Sequence, residues 1–167
     1  DLALDMAARF APAIAEIGLD ARAFAAEWLG VASEEAGHFR LLQARLGELG
    51  AAYGDLDAHD GLWDAARRTA GDVAARLALA PMVLEARGLD ATPPMAARLR
   101  SAGDAASALI IDRIHADEIG HVALGVRWFA IICEARGQPA EAMFEALVDR
   151  YFPGGPRPPF NVGSRRK

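Results

Sequence analysis

The sequence predicts an all-α fold, an antiparallel four-helix bundle with extra short helices and an extended C-terminal tail. Hydrophobic residues make up 53% of the 167 residues, and Ala and Leu are abundant among them, which favours helices over strands. Several segments repeat apolar residues at helical spacing, and none alternates convincingly as a strand would. The pattern acid-Glu-x-Gly-His occurs twice, at 34–38 and 117–121. This length suits a single domain over 1–167.

The first half of the chain predicts two helices and a connector. The opening helix has apolar residues at helical spacing and is expected to break between Pro12 and Gly18. Asp20 can cap the second helix, which carries the first motif and runs to about Leu49. A polar connector then covers 51–62, longer than a typical helix–helix turn.

The middle of the chain predicts a third, interrupted helix. It covers about 63–87, with a break near Gly71 and a kink at Pro81, because proline removes a helical hydrogen bond. Thr92 is then expected to cap a new short helix that has Pro93 at its first position.

The last part predicts two helices and the tail. A long helix begins after Gly103–Asp104 and carries the second motif to about Arg136. Pro139 opens a final helix that ends near Phe152. The remainder, 153–167, is rich in Pro, Gly and Arg and has no helical pattern, so it is expected to lie extended over the bundle or to be mobile.

Composition excludes several functional classes. No stretch approaches 18 apolar residues and no secretory signal opens the chain, so neither a membrane span nor secretion is expected. The single Cys133 excludes an intrachain disulfide or a Cys-rich zinc site. The net charge of −5 argues against binding duplex nucleic acid. A cytoplasmic protein is expected, and a homodimer is compatible with the sequence.

The doubled motif predicts a metal site. Glu35 precedes His38 by one helical turn, as Glu118 precedes His121, so each pair shares a helix face at about 5–6 Å. Two facing helices with such pairs can hold two metal ions, as in carboxylate-bridged bundles. One such pair alone would be weak, since surface Glu and packed His are common, but two copies inside apolar helices are harder to explain otherwise.

Three further acids complete the predicted constellation. Glu85 ends an apolar run on the third helix and is the candidate for another carboxylate ligand, the alternative being a solvent-facing side chain paired with Arg87. Glu34 and Asp117 precede the motif Glu residues and could accept a hydrogen bond from the histidine of the facing helix. The alternative is that Glu34 and Asp117 are solvated side chains on the flank of a helix.

Two glycines and a connector histidine also stand out. Gly37 and Gly120 precede the histidines inside helices, where glycine costs about 1 kcal/mol relative to alanine. Close helix approach, or space for a bound small molecule, would offset this cost. His59 could line an entrance to the site, although a loop histidine is more often exposed to solvent.

These residues resemble the ferritin-like superfamily and, more closely, an uncharacterised ferritin-like bacterial family of the DUF455 type. The similar stretches lie at 31–39, 53–55, 59–63, 81–90, 117–121 and 158–161. The segment around Glu85 is also similar to one in a tRNA-modifying di-iron hydroxylase of that superfamily. The resemblance implies Glu85 as a ligand and oxygen activation as a chemistry.

One departure concerns the first helix, where the family pattern needs a carboxylate. Reflecting the Glu35/His38 pair through the predicted break places this ligand at or before residue 1. Asp1 and Asp5 are the acids available on that segment, and both are shorter than Glu. We therefore expect a domain that lacks the start of its first helix, with an incomplete ligand set at one metal position.

The favoured function is a di-iron or manganese–iron oxidoreductase that activates dioxygen and acts on a small organic substrate. Donors that are mostly oxygen suit iron or manganese better than a zinc thiolate site would; iron is the favoured metal and manganese the alternative. A ferroxidase-type metal-binding protein without an organic substrate, or a bundle that its metals only stabilise, are the other hypotheses. The expected metal ligands are Glu35, His38, Glu85, Glu118 and His121. Glu34 and Asp117 are expected to accept hydrogen bonds from the two histidines.

Overall fold

A computed structural model describes residues 1–165 as helices joined by turns, with no strand in that range. The elements are α1 (Leu2–Glu16), α2 (Ala21–Glu48), α3 (Gly61–Arg68), α4 (Val73–Leu79), a π-helical turn (Ala80–Glu85), α5 (Ala86–Ser101), α6 (Ala105–Ala135), α7 (Ala140–Tyr151) and α8 (Val162–Arg165). The predicted all-α bundle is confirmed.

The bundle consists of two helix pairs. α1 packs along α2, and α5 packs along α6, while α4 and the π turn lie against α6 and connect the pairs. Short turns reverse the chain within each pair, at Gly18 with a φ of 76° and at Gly103 with a φ of 84°, so the paired helices are antiparallel. α7 covers α4 and α6 at one end. None of the helices described is both long and apolar enough to cross a membrane.

The core fills the space between the pairs. Phe24 of α2 meets Trp128 of α6 edge-on, with ring centroids 5.0 Å apart. Ile14 of α1, Leu77 of α4 and Ile132 of α6 are fully buried in the same cluster. Burying a side chain of this size stabilises the fold by about 1.5–3 kcal/mol. These contacts hold α2 and α6 side by side, which is what brings the two motifs together.

The predicted cap at Asp20 is confirmed, and Asp104 caps α6 in the same way. The carboxylate of Asp20 accepts hydrogen bonds from the backbone N–H groups of Arg22 and Ala23, each at 3.0 Å. Asp104 accepts one from Ser107 N at 2.9 Å at the start of α6. Such caps satisfy backbone donors that the first turn of a helix leaves unpaired.

Pro12 does not break the first helix, contrary to prediction. It lies inside α1, which ends at Glu16. Proline frees the carbonyl four residues earlier, here that of Ala8. Both residues are exposed, so water can hydrate this carbonyl and the helix continues.

The predicted boundary at Thr92–Pro93 is also wrong, because α5 runs through both Pro93 and Pro94. Pro93 has no N–H to donate to the carbonyl of Leu89. The side-chain amide of Asn161 donates to that oxygen instead, at 3.2 Å. A group from the tail thereby completes the hydrogen bonding of the helix.

The tail is less extended than predicted. Residues 162–165 form the short helix α8, and the guanidinium of Arg165 donates twice to Asp90 on α5, at 3.0 and 2.6 Å. The backbone N–H of Asn161 donates to the same carboxylate at 2.7 Å. These contacts hold the tail against α5. The part of the predicted tail at 166–167 lies outside the described residues.

Candidate metal centre

Three elements supply the predicted site residues, which meet between the two helix pairs. α2 carries Glu34, Glu35 and His38, α6 carries Asp117, Glu118 and His121, and Glu85 ends the π turn. Both histidines are buried, 5% and 2% exposed. The helical spacing of each motif directs its Glu and His to the same face, and the packing of α2 beside α6 brings those faces together.

Glu35 lies between the two histidines. Its Oε1 is 3.1 Å from Nδ1 of His121 and 3.3 Å from Nδ1 of His38. Oε2 of Glu118 lies 3.5 Å from the same nitrogen of His121. Glu35, Glu118 and His121 each offer a ligand atom, and these atoms lie within 4.8 Å of one another, close enough to share one ion.

The outer nitrogen of each histidine is held by an acid on the facing helix. His121 Nε2 lies 2.7 Å from Oε2 of Glu34, and His38 Nε2 lies 3.0 Å from Oδ2 of Asp117. Arg113 also donates to Asp117, and together with the bond to His38 it holds the pKa of that carboxyl below its usual range. With Nε2 protonated, each histidine keeps the lone pair of Nδ1 for a metal ion.

Four inner atoms of the centre lie close to other donors and acceptors but make no hydrogen bond of good geometry. These buried atoms are Nδ1 of His38, Nδ1 of His121, Oε2 of Glu85 and Oε2 of Glu118. Buried polar atoms in proteins are nearly always paired, so a cluster of unpaired ones implies a group that binds them. Carboxylate oxygens with one imidazole per ion suit iron or manganese. The group Glu35, Glu118 and His121 could therefore hold one such ion.

Without metal, the centre holds protons where an ion would bind. Burial raises the pKa of Glu85 to about 8, and repulsion from Glu118 and Glu35 contributes. Burial lowers the pKa of His121, but its interactions with the nearby carboxylates of Glu118, Glu35 and Glu34 outweigh this effect and raise the value to about 11. Closely spaced carboxylates thus retain protons that a cation would displace.

The π turn positions Glu85. It begins beside Pro81, whose missing N–H is compatible with the wider turn, and it packs on α6 at Gly125. A Cβ at Gly125 would lie 2.6 Å from both Cβ and Cγ of Pro81, so only glycine allows this approach. Sequence reasoning missed Gly125, and its one signal was a glycine inside a long helix.

A cavity of about 350 Å³ opens beside the centre. Glu35, Glu85 and Glu118 line its inner end, and His59 of the connector is also in its lining, as the sequence suggested for an entrance. Trp28 lines it too, and sequence reasoning missed this residue. Its spacing from Glu35, about two helical turns, was the available signal.

Two sequence interpretations are corrected here. Asp5 does not reach the centre as a substitute ligand, because its carboxylate binds Arg76 at 2.7 Å and Arg9 at 2.7 Å. Asp1 lines the cavity. Close helix approach does not explain Gly37 or Gly120, because a Cβ at either position would meet nothing within 4 Å.

Comparison with known proteins gives a family and one relative. The model of the family described as "Protein of unknown function (DUF455)" matches residues 1–167. An "Uncharacterized protein" of Haemophilus influenzae is 44% identical over 151 residues, which cover 90% of this chain and 52% of the relative. The chain thus spans about half the length of that curated protein. No solved structure matches the chain significantly.

Proposed function

The chain belongs to the DUF455 family, and from the geometry of its centre we propose that it is a di-metal carboxylate protein with a ferritin-like bundle. The observation that best supports this proposal is the arrangement of the two histidines beside three carboxylates. An acid of the facing helix holds Nε2 of each ring, while Nδ1 of each ring makes no hydrogen bond of good geometry. Iron is the proposed metal and manganese the alternative. The proposed ligands are Glu35, His38, Glu85, Glu118 and His121.

We propose further that the protein is an oxygen-activating oxidoreductase with an organic substrate. Bound iron would supply the electrons that reduce dioxygen. The chain's own groups have separate tasks: Glu35 lies where it can contact both metal positions, and Glu34 and Asp117 orient the histidines. In the metal-free chain Glu85, whose pKa burial raises to about 8, holds a proton that a bound ion would displace.

The cavity favours an enzyme over a purely structural site. A site whose metals only stabilise the bundle would be closed and fully ligated, whereas here about 350 Å³ of space touches three carboxylates. A ferroxidase without an organic substrate is the second candidate. The acidic lining of the cavity favours this candidate, because Asp1 and Asp60 also line the cavity and would attract a divalent cation.

The metal content of purified protein tests the proposed centre. Wild type grown with iron and manganese should bind up to two ions per chain, measured by elemental analysis, and the variant Glu35→Ala/Glu118→Ala should lose them. The matched control is Glu141→Ala/Glu145→Ala, which removes two exposed carboxylates of α7. Equal metal content in all three proteins would overturn the proposal.

Stopped-flow mixing tests the proposed chemistry. The anaerobic Fe(II) form should develop ferric absorbance when it is mixed with dioxygen. An Fe(II) form that carries both ions and remains unchanged in air for hours would contradict oxygen activation.

We also propose a cytoplasmic location, with neither a membrane nor duplex nucleic acid as a partner. The thiol of Cys133 is free and buried, as is usual in reducing compartments. The net charge of −5 disfavours phosphate backbones, so a salt-sensitive submicromolar duplex complex would contradict the second expectation.

A further inference from the structure

We propose that the cavity beside the metal centre is the substrate site and that the indole N–H of Trp28 orients the substrate. The occupant would be an uncharged, mainly apolar organic molecule with one hydrogen-bond acceptor, such as a carbonyl oxygen. This substrate class rests on the proposed oxidoreductase function, since it describes what that centre would act on.

Trp28 has an unused hydrogen-bond donor next to the centre. The side chain is 2% exposed, and its Nε1 is buried without any partner. Trp128, the other buried tryptophan of the core, shows the usual situation, because its Nε1 donates to Glu27 at 2.6 Å. Leaving an indole N–H unpaired costs about 1–3 kcal/mol, so a bound acceptor would recover stability that the empty site lacks.

The position of Trp28 connects this donor to the proposed chemistry. It precedes Glu35 on α2 by about two helical turns and lines the same cavity as Glu35, Glu85 and Glu118. Phe24 packs against the indole, with ring centroids 6.3 Å apart, and limits its movement. A molecule that accepts a hydrogen bond from Trp28 would therefore be held beside the carboxylates.

The apolar part of the lining favours a ligand with an apolar body. Met6, Val31, Leu62 and Trp63 line the cavity on different sides and come from α1, α2 and α3. A volume of about 350 Å³ lies near the lower end of small-molecule sites, which span about 300–1,000 Å³. The site would accordingly suit a compact molecule, for example one with a single aromatic ring.

The charge of the lining disfavours anionic substrates. The arginine of the lining, Arg76, is already committed, since its three nitrogens donate to Thr69, to Asp5 and to the carbonyl of Ala66. An anion would meet uncompensated carboxylates instead of a free cation.

Indole NMR signals test the assignment directly. The chain has three tryptophans, so the spectrum of ¹⁵N-indole-labelled protein should show three side-chain N–H signals, assigned with Trp28→Phe, Trp63→Phe and Trp128→Phe. The probes are acetophenone, which has a carbonyl, and ethylbenzene, which has the same ring without an acceptor. Acetophenone should move the Trp28 signal downfield and bind about 5–10-fold more tightly than ethylbenzene. The full chain is used, both as purified and after chelation.

The variants separate hydrogen bonding from shape. Trp28→Phe keeps an aromatic ring but has no N–H, so it should bind both probes equally, while Trp128→Phe should keep the preference for acetophenone. Equal affinities in wild type, a preference that persists in Trp28→Phe, or the absence of binding would each overturn the proposal. Elemental analysis of the protein as purified distinguishes the two proposals, because wild type that contains no metal before chelation and still shifts the Trp28 signal would contradict the metal centre alone.

Discussion

Glu85 is a buried carboxylate whose nearest charged neighbours include two other carboxylates. Burial and the charges of Glu118 and Glu35 raise its pKa to about 8 from the usual 4.5. Between pH 4.5 and pH 8, the metal-free folded chain therefore keeps a proton on Glu85 that the unfolded chain has released. The stabilising contribution is fully present below pH 4.5 and is lost as the pH rises through 8.

The variant Glu85→Gln should separate stability from metal binding. Glutamine resembles the protonated acid but cannot ionise, so the metal-free variant should be more stable than wild type at pH 8 by about 4 kcal/mol, and at pH 5 by about 1 kcal/mol. It should also bind less metal, because a neutral amide replaces a carboxylate ligand. Thermal unfolding at both pH values and elemental analysis measure this. Parallel pH dependences in the two proteins would refute it.

The acids behind the histidines should affect metal affinity through those histidines. Glu34→Gln and Asp117→Asn remove the charged acceptors at Nε2 of His121 and His38. Each should weaken metal binding about 10–100-fold, because the histidine loses the acceptor that holds its tautomer and orientation. Competition against a chromogenic chelator measures the affinity, and Glu48→Gln at the exposed end of α2 serves as the control. Affinities equal to the control in both variants would show that these acids are only solvated surface groups.

Residue-level reasoning from sequence identified the side chains that the structure brings together. On a helix, the spacing Glu-x-x-His places both side chains on one face, so the motif residues could be predicted from the sequence. The unpaired N–H of Trp28 was not, because its lack of a partner depends on what surrounds it in three dimensions. Asp5 was misassigned because its partner Arg76 lies far away in sequence.

Among the elements, the π turn between α4 and α5 determines where Glu85 lies. The sequence indicated a kink at Pro81 but not a π turn, because the wider turn depends on contact with α6. That contact exists at Gly125, where a Cβ would meet Pro81 at 2.6 Å. π-helical turns often occur at functional sites, which fits the position of this one at the end of the candidate centre.

The variant Gly125→Ala should therefore displace the π turn. The added methyl group overlaps Pro81, so we expect a loss of about 1–3 kcal/mol in the free energy of unfolding and a lower metal content. Gly30→Ala is the matched control, because Gly30 is an exposed helical residue whose Cβ would meet nothing within 4 Å. It should gain about 0.5–1 kcal/mol and keep its metal. If Gly125→Ala behaved like this control in unfolding and elemental analysis, the close packing would not matter.

For the whole molecule, distant segments complete hydrogen bonds that local sequence leaves open. Helix caps such as Asp20 were predictable because donor and acceptor are neighbours in the chain. The continuation of α5 through Pro93 was not, because the side chain that satisfies the freed carbonyl of Leu89 belongs to Asn161 in the tail. Where the stabilising group lies 72 residues away along the chain, local propensity predicts a boundary that tertiary structure removes.

This arrangement predicts an energetic coupling between the tail and the proline. Asn161→Ala removes the donor to Leu89 O and should destabilise the chain by about 1–2 kcal/mol, because a carbonyl of α5 loses its hydrogen bond. Pro93→Ala restores a backbone N–H that can bond to the same oxygen within the helix. In the Pro93→Ala background, Asn161→Ala should accordingly be less destabilising.

A double-mutant cycle measures that coupling by denaturant unfolding of wild type, the two single variants and the double variant. Asn161 also accepts a hydrogen bond from Ser164 N at 3.2 Å, and its loss affects both backgrounds equally, so it cancels in the cycle. A coupling of about 0.5–1 kcal/mol is expected. If Asn161→Ala had the same effect in both backgrounds, α5 would tolerate Pro93 by hydration, as α1 tolerates Pro12, and the tail would only rest on its surface.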